Sequence, residues 1–109
     1  MDTRIRIALK ILESEFACPL RVRDVAGRVR LSGSRFGRLF RRETRQTFKR
    51  FVLAFRMKRA RNLLLLDATL PIKDVAISVG YSYSHLCVFT RDFEKYWGCS
   101  PSKCRRSAA

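Results

Sequence analysis

The stretch "DVAISVGYSYSHLCVF", residues 74–89, contains the pattern that decides the fold. Its short apolar run ends at Gly80, the residue type favoured in the left-handed position that follows a helix. Ala76, four residues before Gly80, is small enough to let a second helix cross close to the first. After a polar segment, a new apolar stripe begins at Phe89 and repeats with the spacing of one helix face. The stretch therefore predicts two helices joined by a tight turn.

The same design occurs earlier in the chain, within residues 22–40. Ala26 lies four residues before a turn at Arg30, and a helix with Phe36 facing inward follows. Ser32 is the predicted N-cap of that helix, because its hydroxyl can accept from an amide of the first turn. The second helix of such a pair can enter a DNA major groove. Two copies of the pattern are a stronger signal than one, because helical bundles also contain short helix pairs.

The remaining segments also predict helices, and no strand pattern is present. An N-terminal helix ends before Pro19, which disfavours helical backbone at the preceding residue, and a long amphipathic helix runs from Thr47 to Leu66. The predicted inward residues are Ile5, Ala8, Leu9, Leu12 and Phe16 in the first helix and Phe48, Phe51, Val52, Phe55, Ala60, Leu63 and Leu64 in the long one. We predict an all-α fold of about seven helices, with helix-turn-helix subdomains at 1–46 and 67–109 joined by a linker helix at 47–66.

Positive charge is concentrated in one part of the chain. The 109 residues carry 24 Lys and Arg against 9 Asp and Glu, a net charge of +15. Residues 21–61 hold fifteen basic and two acidic side chains, whereas residues 1–20 cancel and residues 62–109 have a net charge of only +2. A charge included only for solubility would be scattered, so the clustering indicates a polyanionic partner.

The length of the linker helix fits binding to duplex DNA. About twenty helical residues span ~30 Å, and major grooves on one face of B-DNA recur every ~34 Å. One chain could therefore place two recognition helices in adjacent turns without dimerising. Unlike motifs predict an asymmetric DNA site.

The sequence gives no signal for metal binding, catalysis or membrane insertion. The four cysteines contain no C-x-x-C pair and His85 is the only histidine, so we predict no metal site, no catalytic site and no cofactor. We interpret the thiols as free, although Cys99 and Cys104 could pair under oxidation. No stretch approaches the ~20 apolar residues of a bilayer span, and the charged N-terminus is unlike a signal peptide. We expect a non-enzymatic, cytoplasmic and nucleoid-associated protein without membrane contact.

Several segments resemble the DNA-binding domain of AraC/XylS-type bacterial transcription regulators. They are "RLFRRET" (38–44), "RMKRARNLLL" (56–65), "DVAISVGY" (74–81) and Gly98-Cys99-Ser100-Pro101. The resemblance covers residues 5–106. It implies two helix-turn-helix units that bind double-stranded DNA, activation of transcription, and RNA polymerase as a protein partner. We expect this chain alone to be a monomer.

Base reading needs exposed side chains early in each recognition helix. In the first helix these are Ser34, Arg35, Gly37 and Arg38. The full set of DNA-binding candidates is Ser34, Arg35, Gly37, Arg38, Arg41 and Arg42 in the first helix and Ser84, His85, Leu86, Cys87 and Arg91 in the second. The resemblance assigns reading positions to Ser34, Gly37, Arg38, Leu86, Cys87 and Arg91, and the phosphate-contact candidates are Arg45, Lys49, Arg50 and Lys95. We predict that Arg38 bonds guanine, with a phosphate contact as its alternative. Leu86 is either a base contact or a core residue.

The chain departs from the family pattern at four places. Arg30 and Arg45 replace usual glycines, which costs about 1 kcal/mol each if the backbone is left-handed. Cys104 replaces an aromatic residue, and the segment from Gly80 to Phe89 is two residues longer than usual. Within it we predict Ser84 as the N-cap, because it lies five residues before Phe89 as in the family; Ser82 is the alternative. We expect the second motif to read little DNA sequence.

A basic helical module that binds RNA or an RNA polymerase subunit is the alternative function. RNA readers usually present stacking aromatics on a surface, whereas most aromatics here lie on predicted inward stripes. His85 is interpreted as an exposed turn residue, with a phosphate contact or pH sensing as alternatives.

Overall fold

The computed structural model describes residues 1–107 and contains seven α-helices in that range. They are α1 (Thr3–Glu15), α2 (Val22–Arg28), α3 (Gly33–Thr44), α4 (Phe48–Leu66), α5 (Ile72–Ser78), α6 (Leu86–Trp97) and α7 (Pro101–Ser107). A 3-10 helix, Tyr83–His85, directly precedes α6. The described residues contain no strand, which confirms the predicted all-α fold. No helix in this range is long and apolar enough to cross a membrane.

Packing divides the chain into two compact units, Met1–Leu53 and the residues from Ala54 onward. The boundary falls inside α4, so the first turns of this helix belong to one unit and its later turns to the other. Thr47 precedes α4 and accepts the Arg50 N–H on its hydroxyl at 3.2 Å, as an N-cap does.

A cluster of phenylalanine rings forms the core of the first unit. Phe36 and Phe40 of α3 are fully buried and lie 5.5 and 5.3 Å from the ring of Phe48, measured between centroids. Phe51 adds an edge-on contact to Phe40 at 5.4 Å. Edge-to-face pairs at such distances stabilise beyond their buried area. They fix one face of α3 inward, so the opposite face is left for solvent.

Phe89 and Phe93 of α6 are the fully buried aromatic residues of the second unit. Trp97 continues their stripe, and its indole N–H donates to the carbonyl of Met57 in α4 at 3.0 Å. The guanidinium of Arg61 lies 4.7 Å from the centroid of the same indole ring, within the range of a cation–π contact. α6 is thereby fixed to the second half of α4.

In the first helix and in the long helix, the predicted inward faces lack Ile11 and Met57, which are 7% and 0% exposed. Met57 lies between Arg56 and Lys58 in the sequence. Because both neighbours are charged, the sequence does not indicate that Met57 is a core residue. In contrast, the predicted inward residues Leu9, Phe16, Phe51, Phe55 and Leu63 are only half-buried. The helices therefore bury narrower faces than the apolar stripes indicate.

Both helix-turn-helix motifs use the same backbone turn. The amides of Arg30 and Leu31 donate to the carbonyls of Gly27 and Ala26 at 3.1 and 2.9 Å. In the second motif, the equivalent amides of Gly80 and Tyr81 donate to Ile77 and Ala76 at 3.1 and 3.0 Å. This pair of bonds is the Schellman motif, which satisfies two terminal carbonyls of the helix.

Left-handed backbone occurs at both arginines that replace glycine. Arg30 has φ 60° and Arg45 has φ 63°, while Gly80 and Gly98 have φ 105° and 82°. The backbone is thus left-handed at both arginines, and the expected strain of about 1 kcal/mol applies at each of them.

Ser32 is the N-cap of α3, as predicted, and accepts the Arg35 N–H at 3.2 Å. The prediction that Ser84 caps the last recognition helix is wrong. Ser84 lies inside the 3-10 helix, and His85 occupies the position before α6 without a side-chain bond to a backbone amide. The 3-10 helix itself begins after Ser82, whose backbone is extended. The chain therefore enters α6 through a 3-10 turn, which winds more tightly than an α-helix, so the five-residue spacing from Ser84 to Phe89 does not mark an N-cap.

Candidate nucleic-acid interface

The outer face of α3 is strongly basic. Phe36 and Phe40 face the core, so the residues between them point to solvent. Ser34, Arg35, Arg38, Arg41 and Arg42 are exposed, and Gly37 is half-exposed. A Cβ added at Gly37 would meet no atom within 4 Å. This face therefore offers four guanidinium groups and an open stretch of backbone.

Three of these arginines line one groove of about 430 Å³. Arg35, Arg38 and Arg42 contribute from α3, and Arg4 joins them from α1. Leu31 and Leu39 form the apolar part of the lining. Guanidinium groups donate in a fixed fork that matches phosphate and base-edge acceptors, so the groove suits an anion. Arg4 was not predicted from the sequence, because the first twenty residues have no net charge.

A second groove, of about 390 Å³, lies where α3 ends and α4 begins. Arg41, Arg45 and Arg50 line it together with Gln46 and Thr47. The first amides of a helix carry partial positive charge and attract anions. Two of the predicted phosphate contacts, Arg45 and Arg50, are thus brought together here. Lys49 is exposed but lines neither groove, and Ser34 also lies outside both.

The corresponding face of α6 has a different chemistry. Leu86, Cys87, Thr90 and Arg91 line a concave surface of about 360 Å³, together with the carboxylate of Glu94. Leu86 is half-buried, which leaves both of its interpretations open, and Cys87 is exposed. One arginine next to one glutamate gives this surface little net field. Lys95 is exposed elsewhere on α6.

Ser84 and His85, two further predicted contacts, belong to a hydroxyl–imidazole cluster at the 3-10 helix. The Ser82 hydroxyl is hydrogen-bonded to Nδ1 of His85, and the Ser84 hydroxyl lies 3.2 Å from the same nitrogen. Both predicted residues are exposed. Their polar groups are engaged with each other, which orders the entrance to α6.

Tyr81 attaches the second turn to α6. Its hydroxyl donates to Oδ2 of Asp92 at 2.7 Å, and its ring meets Phe89 edge-on at 5.2 Å. Burial of the ring and then the hydrogen bond to Asp92 raise the pKa of Tyr81. The carboxylate of Asp92 therefore forms an internal hydrogen bond of the second motif, which connects its turn to α6.

All four cysteines are free thiols: Cys18 and Cys87 are exposed, Cys99 is half-buried and Cys104 is buried. Burial and then a hydrogen bond with Cys104 raise the pKa of the Cys99 thiol. No group of three or more Cys, His, Asp or Glu side chains within residues 1–107 is placed to hold a metal ion.

Comparison with known proteins places this chain among transcription regulators. The model of a family described as a helix-turn-helix domain matches residues 25–107. The Msm operon regulatory protein of Streptococcus mutans is 39% identical over 97 residues, covering 89% of this chain and 34% of that protein. The transcriptional activator RhrA of Rhizobium meliloti is 31% identical over 107 residues, covering 97% and 32%. The chain thus spans about a third of the length of the curated relatives it matches.

Solved structures give the same result. The C-terminal domain of AraT, a response regulator from Geobacillus stearothermophilus, has a TM-score of 0.90 and 30% identity, covering 97% of this chain and 86% of that one. The DNA-binding domain of AdpA, solved with a target DNA, has a TM-score of 0.84 at 22% identity, covering 98% and 93%, and shows the shared fold. The family model and the regulators named here favour neither an enzyme nor the RNA-binding alternative.

Proposed function

Because the chain belongs to the AraC-type family of helix-turn-helix transcription regulators, we propose that it binds double-stranded DNA sequence-specifically through α3 and α6. The observation that carries this proposal is the basic outer face of α3. Three of its arginines line one groove with Arg4, and its fourth lines the groove at the start of α4. Such a surface neutralises phosphates and releases counterions, which supplies most of the affinity and a steep salt dependence.

Arg38 is the residue that we propose reads a base. It is exposed and near the middle of α3, and its guanidinium can bond O6 and N7 of guanine together in the major groove. Arg35 and Arg42 line the same groove and are proposed to fix the register of α3 on the phosphates. Ser34 adds a hydroxyl that can bond a base or a phosphate.

The groove at the start of α4 is proposed as a phosphate clamp. It combines Arg41, Arg45 and Arg50 with the N-terminus of a 19-residue helix. Lys49 and, in the second unit, Lys95 are proposed to contribute longer-range attraction to the backbone. These contacts carry no sequence information but position the protein on the duplex.

α6 is proposed to make the weaker set of contacts. Leu86 and Cys87 can touch a thymine methyl group but cannot form paired hydrogen bonds to a base. Arg91 can reach a phosphate or a base edge, although Glu94 on the same surface offsets its charge. Ser84 and His85 are proposed to contact the backbone before α6.

We further propose that α3 and α6 enter successive major grooves of an asymmetric site, with the chain acting as a monomer and α4 as the linker between subdomains 1–46 and 67–109. A helix of 19 residues spans about 28 Å, close to the groove repeat of about 34 Å. Transcription activation is part of the proposal and is supported by the relative RhrA, which is described as a transcriptional activator. RNA polymerase is the partner proposed for that role.

Selection from random duplexes with the purified chain tests the DNA-reading proposal. We expect a bipartite, non-palindromic site with half-sites about one helical turn apart. Binding to that duplex and to single-stranded RNA is then measured over a series of salt concentrations. We expect tight binding, and a steep slope of the logarithm of the binding constant against the logarithm of the salt concentration (the salt slope), for the duplex only. Recovery of no consensus, or equal binding to the RNA, would favour the alternative of a basic module without DNA-sequence reading.

A matched pair of triple variants tests the surface. Replacement of Arg35, Arg38 and Arg42 by alanine should abolish specific binding, whereas replacement of Lys10, Lys103 and Arg106 removes the same charge elsewhere and should lower affinity far less. Equal losses would mean that only net charge matters. A reporter gene placed next to the selected site then tests activation, since repression or no effect would contradict the activator role.

A further inference from the structure

Arg4 lies in the basic groove of α3 although it belongs to α1. Its guanidinium already holds an anion: Nε and Nη2 donate to the two carboxylate oxygens of Asp2 at 3.1 and 3.0 Å. The Arg4 side chain is nevertheless 48% exposed. This fork of two N–H groups binds carboxylates and phosphates with the same paired geometry. Asp2 thus occupies the part of Arg4 that an incoming phosphate would use.

The segment that carries this pair is attached to the recognition helix. The backbone N–H of Asp2 donates to Oε1 of Glu43, in α3, at 2.7 Å. The Asp2 carboxylate also caps α1 by accepting the Arg4 N–H at 2.8 Å. Hydrogen bonds to Arg4 lower the pKa of Asp2, and the charge of Arg42 adds to the effect. The carboxylate therefore lies within the field of the groove and keeps its negative charge.

We propose that this groove binds one phosphate of the DNA backbone, that Arg4 is one of its ligands, and that Asp2 is an internal anion that competes with the phosphate for Arg4. The inference rests on the proposed function, because the phosphate is that of a duplex bound by α3. It adds a contact from outside the helix-turn-helix motif and a residue that limits affinity.

A phosphate suits Arg4 better than a base edge does. Arg4 projects from α1, while the side chains that enter the major groove are those of α3. The phosphates of the DNA backbone lie along both sides of the major groove. An arginine beside the recognition helix therefore meets the DNA backbone. The other arginines that line the site add positive charge around it. This charge also favours binding of the two non-bridging oxygens of a phosphodiester.

The first test compares Arg4→Ala with Arg6→Ala on the selected duplex across a salt series. Arg6 is exposed on the same helix and does not line the groove, so the two variants remove equal charge. Loss of one phosphate contact should reduce the salt slope by about one, which corresponds to about tenfold weaker binding at 0.1 M salt. We expect this for Arg4→Ala and little change for Arg6→Ala.

The second test is Asp2→Asn, which removes the competing charge but keeps a side chain able to cap α1. We expect duplex binding to tighten about two- to fivefold, the size of effect that an exposed ion pair can have. The gain should shrink in the Arg4→Ala background, because the released guanidinium is then absent. Thermal unfolding of each variant shows that the fold is retained.

Nitrogen-15 NMR of the Arg4 Nε–H provides a direct readout. We expect its signal to shift with the duplex and not with an equal concentration of inorganic phosphate. Equal losses for Arg4→Ala and Arg6→Ala, or weaker binding by Asp2→Asn, would overturn this inference while the proposed function stands. Failure of the unmodified chain to bind duplex DNA would overturn both.

Discussion

The two helix-turn-helix motifs share one backbone turn and differ in the surface that follows it. Both turns close with the same pair of amide-to-carbonyl bonds, accepted by Ala26 and Gly27 in the first motif and by Ala76 and Ile77 in the second. The first recognition helix then presents four exposed arginines, whereas the concave face of the second presents Arg91 beside Glu94. A conserved turn geometry is thus compatible with very different electrostatic fields.

The residues inside the turns also differ. The left-handed position is Arg30 in the first motif and Gly80 in the second. The next residue is Leu31 in the first and Tyr81 in the second, and only Tyr81 adds a side-chain hydrogen bond to its recognition helix. In the second motif, polar side chains such as Tyr81 and Asp92 therefore bond to each other, whereas the exposed arginines of the first recognition helix point to solvent. This difference predicts that binding and stability respond to different residues in the two motifs.

Binding should show the largest asymmetry. Arg38→Ala is expected to weaken binding to the selected duplex by ~1–3 kcal/mol and to relax one base position, because a bidentate contact is lost. Arg91→Ala should have a clearly smaller effect, since Glu94 already offsets its charge. Fluorescence anisotropy on one duplex measures both. A larger loss for Arg91→Ala would reverse the proposed roles of the motifs.

Stability should depend on the tyrosine of the second turn. Tyr81→Phe removes a hydroxyl bonded to a carboxylate at 2.7 Å, and hydrogen bonds to charged groups contribute about 1.5 kcal/mol or more. We expect a loss of about 1.5 kcal/mol in the free energy of unfolding in urea. Tyr83→Phe is the control, because Tyr83 is 63% exposed and should change stability by less than ~0.5 kcal/mol.

The same tyrosine predicts a dependence on alkaline pH. Burial first and the bond to Asp92 second raise the pKa of Tyr81 in the folded state, while the unfolded value is about 10. A raised folded pKa means that the stabilisation is complete below pH ~10 and is lost as the pH rises further. The stability difference between the unmodified protein and Tyr81→Phe should therefore shrink above pH 10. A constant difference would show that Tyr81 does not titrate as inferred.

The helices and turns could be predicted from the sequence because apolar spacing, small residues and prolines act locally. Ser32 was identified as a cap on such local grounds. Ser84 is not the cap, because the spacing to Phe89 identifies an N-cap only where the turns are α-helical, and the chain forms a 3-10 turn there. Met57 was missed because its immediate neighbours are charged.

The arginine faces could be predicted as far as they follow one helix. Arg35, Arg38 and Arg42 share a face of α3 by period alone, and the structure places them in one groove. Arg4 reaches that groove from another helix, and no periodic signal connects residues so far apart in sequence. Its pairing with Asp2 also cancels it in any count of local charge.

The left-handed residues allow a reciprocal test of the two turns. Arg30→Gly should raise the free energy of unfolding by about 1 kcal/mol, because φ 60° is strained for a residue with a Cβ. Gly80→Ala should lower it by about 1 kcal/mol, because φ 105° lies beyond the small left-handed region that such residues tolerate. Urea unfolding measures both changes. A stabilising Gly80→Ala would show that the turns are not equivalent.

Arg45→Gly extends this test, since Arg45 also has positive φ but lines the groove at the start of α4. A similar gain in stability is expected, accompanied by weaker duplex binding and a smaller salt slope. Arg30 lines neither arginine groove, so Arg30→Gly should change the slope less. Equal slopes for the two variants would argue against a phosphate clamp at α4.

Gly37 provides the smallest expected change and separates stability from binding within the first motif. Glycine inside a helix is less stable than alanine by about 0.5–1 kcal/mol, and a methyl group at Gly37 would meet no protein atom within 4 Å. Gly37→Ala should therefore stabilise the protein. If DNA approaches the backbone there, the same methyl group should weaken duplex binding. Gly27→Ala, in α2 and equally unobstructed, should stabilise without weakening binding, and equal affinities for the two variants would mean that DNA does not approach α3 at this point.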